Sequence, residues 1–135
     1  MTSALEAVQR ELVAAMNAHQ PLLDAINGIY DGPPPLTRFP YIALATGASL
    51  DWSYKGGTGR ELSLALTVHD DGDSAARLHR VMALIEVALE SGLADPDGWQ
   101  IVTFDFRRSR ILRNAVSPWN GLVEYRARVL KKPAI

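Results

Sequence analysis

The chain has no cysteine. That absence excludes a disulfide scaffold, a Cys-ligated zinc site, an iron–sulfur centre and a thiol nucleophile. Histidine is almost as scarce: His19, His69 and His79 are the only three, too few for a histidine-rich metal site. The uncharged stretch from Tyr41 to Leu50 is far too short to span a bilayer. The start, MTSALEAVQRE, has neither a basic n-region nor a long apolar h-region, so no secretory signal is expected. No G-x-S-x-G, H-E-x-x-H, phosphate-loop or kinase motif occurs. What remains is a protein made in the cytoplasm, with no membrane segment, expected to fold as one domain over 1–135.

Charge is nearly balanced but unevenly placed. Residues 1–99 hold 6 Lys/Arg and 13 Asp/Glu; residues 100–135 hold 8 Lys/Arg and 2 Asp/Glu. An acidic part and a basic part suit head-to-tail packing of copies. Basic residues on a solvated strand face explain the same pattern.

The hydrophobic periods predict α and β elements in turn. Ser3 and Glu6 have capping-box spacing, and Leu5, Val8, Leu12, Ala15 and Met16 form one helical stripe. A short turn of helix is expected from Pro21 to Gly28. The prolines at 33–35 exclude helix and central strand and favour polyproline II. Residues 41–50 read as one strand, 54–60 as a glycine-rich, flexible hairpin tip, and 62–69 as a second strand with alternating leucines. Asp73 or Ser74 is expected to cap a helix striped by Leu78, Val81, Met82, Ile85 and Leu89, ending near Gly92. Strands follow over 99–106, with Val102, Phe104 and Phe106 on one face, and over 123–129, with a turn at 117–121 between them. The expected fold is α+β: a mostly antiparallel four- to five-stranded sheet with two main helices packed on one face.

Catalytic and ligand-binding readings are weak. Ser49, Asp51 and His69 form a triad only on paper. Gly56-Gly57-Thr58-Gly59 resembles a phosphate loop but leads into a strand instead of a helix N-terminus. Asp70, Asp71 and Asp73 lack the remaining donors of an EF-hand, since the twelfth position is Val81, and they suit a helix N-terminus equally well. No catalytic residue, metal or cofactor is therefore expected. The basic group is more distinctive. Arg107, Arg108, Arg110 and Arg113 follow one strand and Arg126 and Arg128 lie on the next. Such a face tracks phosphates or meets an acidic neighbour. Phe104, Phe106 and Tyr125 alternate with the arginines and so point inward, leaving no stacking platform for bases.

The segments "IYDGPPP…FPYIALATG…DWSYKGGTGRELSLALTV" and "VTFDFRRSRILRNAVSPWNGLVEYRARV" resemble the tail terminators, a family of tail-completion proteins of tailed phages, prophages and gene transfer agents. The resemblance runs from Leu5 to Val129. Its most specific pieces are Tyr30-Asp31-Gly32, Phe39-Pro40-Tyr41, Asp51-Trp52-Ser53 and Gly121 before the last strand. His69-Asp70 stands where the family often has an aromatic or small polar pair. The resemblance implies a structural virion protein: a ring, usually a hexamer, on the head-proximal end of the tail tube. The ring stops tube growth, meets the head-completion (stopper) protein, and lets DNA through its lumen without sequence-specific binding. A head-completion ring of the same neck and a small non-specific DNA-binding module are the alternatives. The residues expected at interfaces are Trp52, Tyr54, Lys55, Gly56, Gly57, Gly59, Arg107, Arg108, Arg110, Arg113, Trp119, Arg126 and Arg128. Trp52 and Trp119 suit a core edge as well as an interface. Asp70, Asp71, Asp73 or Glu90 are the expected acidic partners of the arginines across such a contact.

Overall fold

The computed structural model describes residues 2–32, 34, 38–45, 47–113 and 118–133. The first helix, α1 (Ala4–Asn17), begins where the spacing predicts. The Ser3 hydroxyl accepts the Glu6 N–H at 3.1 Å, while the Glu6 carboxylate turns outward to Arg10. Its stripe of Val8, Leu12 and Met16 is fully buried. A short α2 (Gln20–Ala25) follows, with Pro21 in its first turn, where a missing N–H costs nothing. The long α3 (Ala76–Leu89) buries Leu78, Val81, Met82, Ile85 and Leu89. Its N-cap is Ala75, not Asp73 or Ser74. The Ser74 hydroxyl still accepts the Ala76 N–H at 3.3 Å, and Asp73 makes no cap.

The sheet has six strands and is mixed, not the four- to five-stranded, mostly antiparallel sheet expected. A two-residue β1 (Ile29–Tyr30) runs parallel to β2 (Tyr41–Leu44). It is too short to carry a period, which is why the sequence does not reveal it. The stretch 41–50 is broken: β2 and β3 (Ala48–Asp51) lie end to end along one edge of β4 (Gly59–Asp70). Leu44 faces Leu66 but Ala48 faces Ser63, so this edge carries one residue more than its partner. An extra residue reverses the alternation. Ile42 is buried against the core, whereas Leu50 is turned out and 58% exposed. The whole other edge of β4 pairs with β6 (Trp119–Lys131), and β6 pairs with the edge strand β5 (Trp99–Leu112).

Both of these last strands are longer than expected. β5 continues through Arg107, Arg108 and Arg110, and Trp119, Asn120 and Gly121 belong to β6 instead of a turn. Their pairing has shifts between Ile101 and Thr103 and between Phe106 and Arg108. Val102 therefore does not share a face with Phe104 and Phe106. Past the second shift, Arg108 and Arg110 stand opposite Glu124 and Leu122. The expected turn residue Ser117, and Pro33 and Pro35 of the proline run, lie outside the described residues.

The helices cover one face of the sheet. Leu62, Leu64, Leu66 and Val68 of β4 and Val123, Tyr125, Ala127 and Val129 of β6 meet them there. Each fully buried leucine contributes about 1.5–3 kcal/mol. Gly121 belongs to this face: a Cβ there would stand 2.4 Å from the Met82 sulfur, so α3 rests on bare backbone. No helix among the described residues is long and apolar enough to cross a membrane.

Candidate assembly surface

The face of the sheet away from the helices carries alternating charge. Arg128 donates to Glu61 at 2.9 Å. Arg126 lies 3.8 Å from Glu61 and 3.7 Å from Asp105. Arg108 pairs with Glu124, and this contact raises the guanidinium pKa above its ordinary value. Each pair joins directly opposed or diagonal positions on adjacent strands, the geometry in which cross-strand side chains interact. Three of the six expected interface arginines are thus neutralised by carboxylates of their own sheet. Arg113 stacks over the Trp119 ring at 4.5 Å. Arg107 and Arg110 are exposed and form no ion pair among the described residues.

Of the expected acidic partners, Asp70 is used inside the fold, while Asp71, Asp73 and Glu90 are exposed. Asp70 is fully buried, and its carboxylate accepts two hydrogen bonds from Arg77 and one from the Asp71 N–H. Asp71 pairs with Arg77 at 3.2 Å. Asp70 is therefore consumed within the fold, whereas the Asp71 carboxylate stays half exposed beside Arg77. Trp119 completes this corner by donating its indole N–H to the Gly72 carbonyl at 3.0 Å. No three histidine, aspartate or glutamate side chains among the described residues are placed to hold a metal ion. Ser49 lies on β3 opposite Leu62, near the start of β4, whereas His69 is near the other end of β4, so the paper triad has no geometry.

The hairpin tip is more constrained than its composition indicates. Tyr54 and Gly57 exchange backbone hydrogen bonds at 3.1 and 3.0 Å, leaving Lys55 and Gly56 as a two-residue turn. Gly56 has φ of +102°, a conformation that favours glycine. Gly59 is not in the tip at all. It is a buried residue of β4, where a Cβ would stand 2.4 Å from the Trp52 carbonyl oxygen. The Ser53 hydroxyl bridges Asp51 and the Gly59 N–H at 2.6 and 3.1 Å. This bridge holds the Asp51 carboxyl below its ordinary pKa. Trp52 is half-buried, with Arg128 5.3 Å from its ring. Gly59→Ala is expected to destabilise the protein by about 2–3 kcal/mol, because backbone has to move to admit the methyl group. Urea unfolding monitored by circular dichroism measures it.

At the other end of the same face His69 stacks on Tyr41 with centroids 4.7 Å apart. Phe39 and Tyr30 pack on Tyr41 in turn. Burial lowers the His69 pKa below its ordinary 6.5, against a hydrogen bond with Asn120 that raises it. The unfolded chain then binds the proton more tightly than the folded one. The His69 contribution is complete above about pH 6.5 and is lost as pH falls through that value toward the folded pKa. Thermal melting between pH 7.5 and 5 is expected to fall more steeply for the unmodified protein than for His69→Gln.

A groove of 340 Å³ lies between α3 and β5 on the helix-bearing side. Phe104, Phe106 and Tyr125 form its floor, and Val87 and two glutamates stand along α3. Phe104 and Tyr125 stack at 4.8 Å, and Phe106 meets Tyr125 edge-on at 5.7 Å. Phe106 faces the helix-bearing side as expected but is not in the core: it is 47% exposed, on the edge strand β5. Sequence reasoning missed this groove. The only signal was Glu86 and Glu90 at i and i+4, a like-charge spacing that isolated helices avoid.

The fold and sequence match known proteins along most of the chain. A chain from the virion of a native gene transfer agent particle superposes with a TM-score of 0.83 at 24% identity, covering 96% of this chain and 99% of that one. The gp17 protein of bacteriophage SPP1 superposes with a TM-score of 0.62 at 19% identity, covering 92% of this chain and 89% of that one. Among curated proteins the chain has no match. The family model described as "Tail completion protein gp17" matches residues 10–130, from within α1 to the last residue but one of β6. The chain therefore belongs to the tail completion protein gp17 family.

Proposed function

We propose that the chain is a structural virion protein, not an enzyme, that assembles into a hexameric ring on the head-proximal end of a phage or gene-transfer-agent tail tube. The ring stops tube polymerisation and offers its other side to the head-completion protein, while DNA passes through the lumen without sequence-specific contact. Family membership over residues 10–130 is the observation that carries this reading. Trp52 and the Tyr54–Gly57 tip, with Lys55, project from the rigid sheet and are assigned to contacts with the tube or the neighbouring subunit. The alternative of a DNA-binding module is weakened by the ion pairs of Arg108, Arg126 and Arg128, which leave fewer cations for phosphates. Electron microscopy of the purified protein is expected to show rings with a central hole. Adding it to a polymerising tube protein is expected to yield tubes of limited length with one end closed to growth. A protein that stays monomeric at every concentration and leaves tube length unchanged overturns the proposal.

A further inference from the structure

We propose that the groove between α3 and β5 is the docking site for a second copy of this chain, which inserts the Arg107–Arg110 stretch of its own β5. The inference rests on the self-assembly reading above and assigns its contact. Two independent features point to an occupant. The first is the pair Glu86 and Glu90. They lie one turn apart at the end of α3, Glu86 in its last turn and Glu90 as its C-cap, repel each other at i,i+4 spacing, and form no ion pair among the described residues. Local rules broken without compensation inside the chain mark functional positions. The second is the apolar surface between them and the strand. Val87 is 51% exposed and Phe106 47%, over a floor of stacked aromatic rings. An exposed aromatic floor with a charged rim is the anatomy of a contact: apolar centre, polar border.

The occupant follows from charge. The groove needs a cationic partner, and the chain carries one that no carboxylate among the described residues satisfies. Arg107 and Arg110 are exposed and lack an ion pair among the described residues, while their neighbour Arg108 is held by Glu124. Arg110 stands opposite Leu122, on the sheet face away from the helices, whereas the groove lies on the helix-bearing side. One copy's basic side can therefore meet the next copy's acidic groove while its own groove stays free for a third. Such a contact is heterologous, the kind that closes into a ring. The acidic side is Glu86 and Glu90, not the buried Asp70 that Arg77 holds.

The test is a reciprocal charge reversal read by analytical ultracentrifugation and electron microscopy. Glu86→Arg with Glu90→Arg makes groove and arm both positive. Arg107→Glu with Arg110→Glu makes both negative. Each double variant alone is expected to need at least about 100-fold more protein to assemble, because like charges meet across the contact. Mixed one to one they are expected to alternate and to restore assembly. A folding defect cannot be repaired by mixing, so the mixture separates a lost contact from a lost fold. Assembly of either variant at the unmodified protein's concentration overturns the inference and leaves the ring reading standing. So does a mixture that stays monomeric while both variants keep native circular dichroism. Normal rings that no longer cap tubes also overturn it, and give the groove to the tube protein. If the unmodified protein never assembles, the ring reading fails and this inference fails with it.

Discussion

Arg77→Met is expected to destabilise the folded chain by about 3–5 kcal/mol, the cost of leaving a buried carboxylate without its counter-ion. Asp70 ends β4 with no exposed surface, and Arg77 supplies two of the three hydrogen bonds to one of its oxygens. The other oxygen is buried without a partner, so the site already runs close to its limit. Hydrogen bonding to Asp70 in turn raises the Arg77 pKa above its ordinary value. Methionine keeps much of the side-chain length but removes the charge. Chemical denaturation at pH 7 measures the loss. Adding Asp70→Asn to Arg77→Met is expected to recover a good part of it, because the uncompensated charge is then gone. A double variant no more stable than Arg77→Met alone would show that packing, not charge, holds the corner.

Trp119→Ala is expected to cost about 3 kcal/mol, at the low end for removing a tryptophan because the ring is only half-buried. Trp119 packs against the core, donates to the Gly72 carbonyl at 3.0 Å and lies under Arg113 at 4.5 Å. It ties the β4–α3 turn to the start of β6, and Trp119→Phe keeps the packing while losing the hydrogen bond. That variant is expected to lie between the two, with about 1 kcal/mol lost. Thermal melting of the three proteins orders them. This residue is therefore assigned to the corner of the fold, whereas Trp52 is half-buried beside Arg128.

Local chemistry and hydrophobic period were enough for the elements that carry their own signal. The α1 N-cap at Ser3, the stripes of α1 and α3, and the alternating leucines of β4 are where the residues place them. These follow from intrinsic spacing, because each apolar position repeats at 3.6 or 2 residues and needs a single buried face. The family resemblance was likewise legible, and the family model matches residues 10–130.

Register was decided only by the tertiary structure. One extra residue between β2 and β3 turns Leu50 outward, and two shifts along β5 decide which arginines share a face with β6. Such shifts depend on which partner strand offers the hydrogen bonds, and no local period records them. Pairing of charge was decided the same way. The sequence shows an acidic part and a basic part, yet Arg108, Arg126 and Arg128 meet Glu124, Glu61 and Asp105 within one sheet. Residues far apart in the chain become cross-strand neighbours only when β4, β6 and β5 align. The charges left without an ion pair among the described residues, Glu86 and Glu90 beside Phe106, and Arg107 and Arg110 on the other side of the sheet, emerge from the fold and not from the composition.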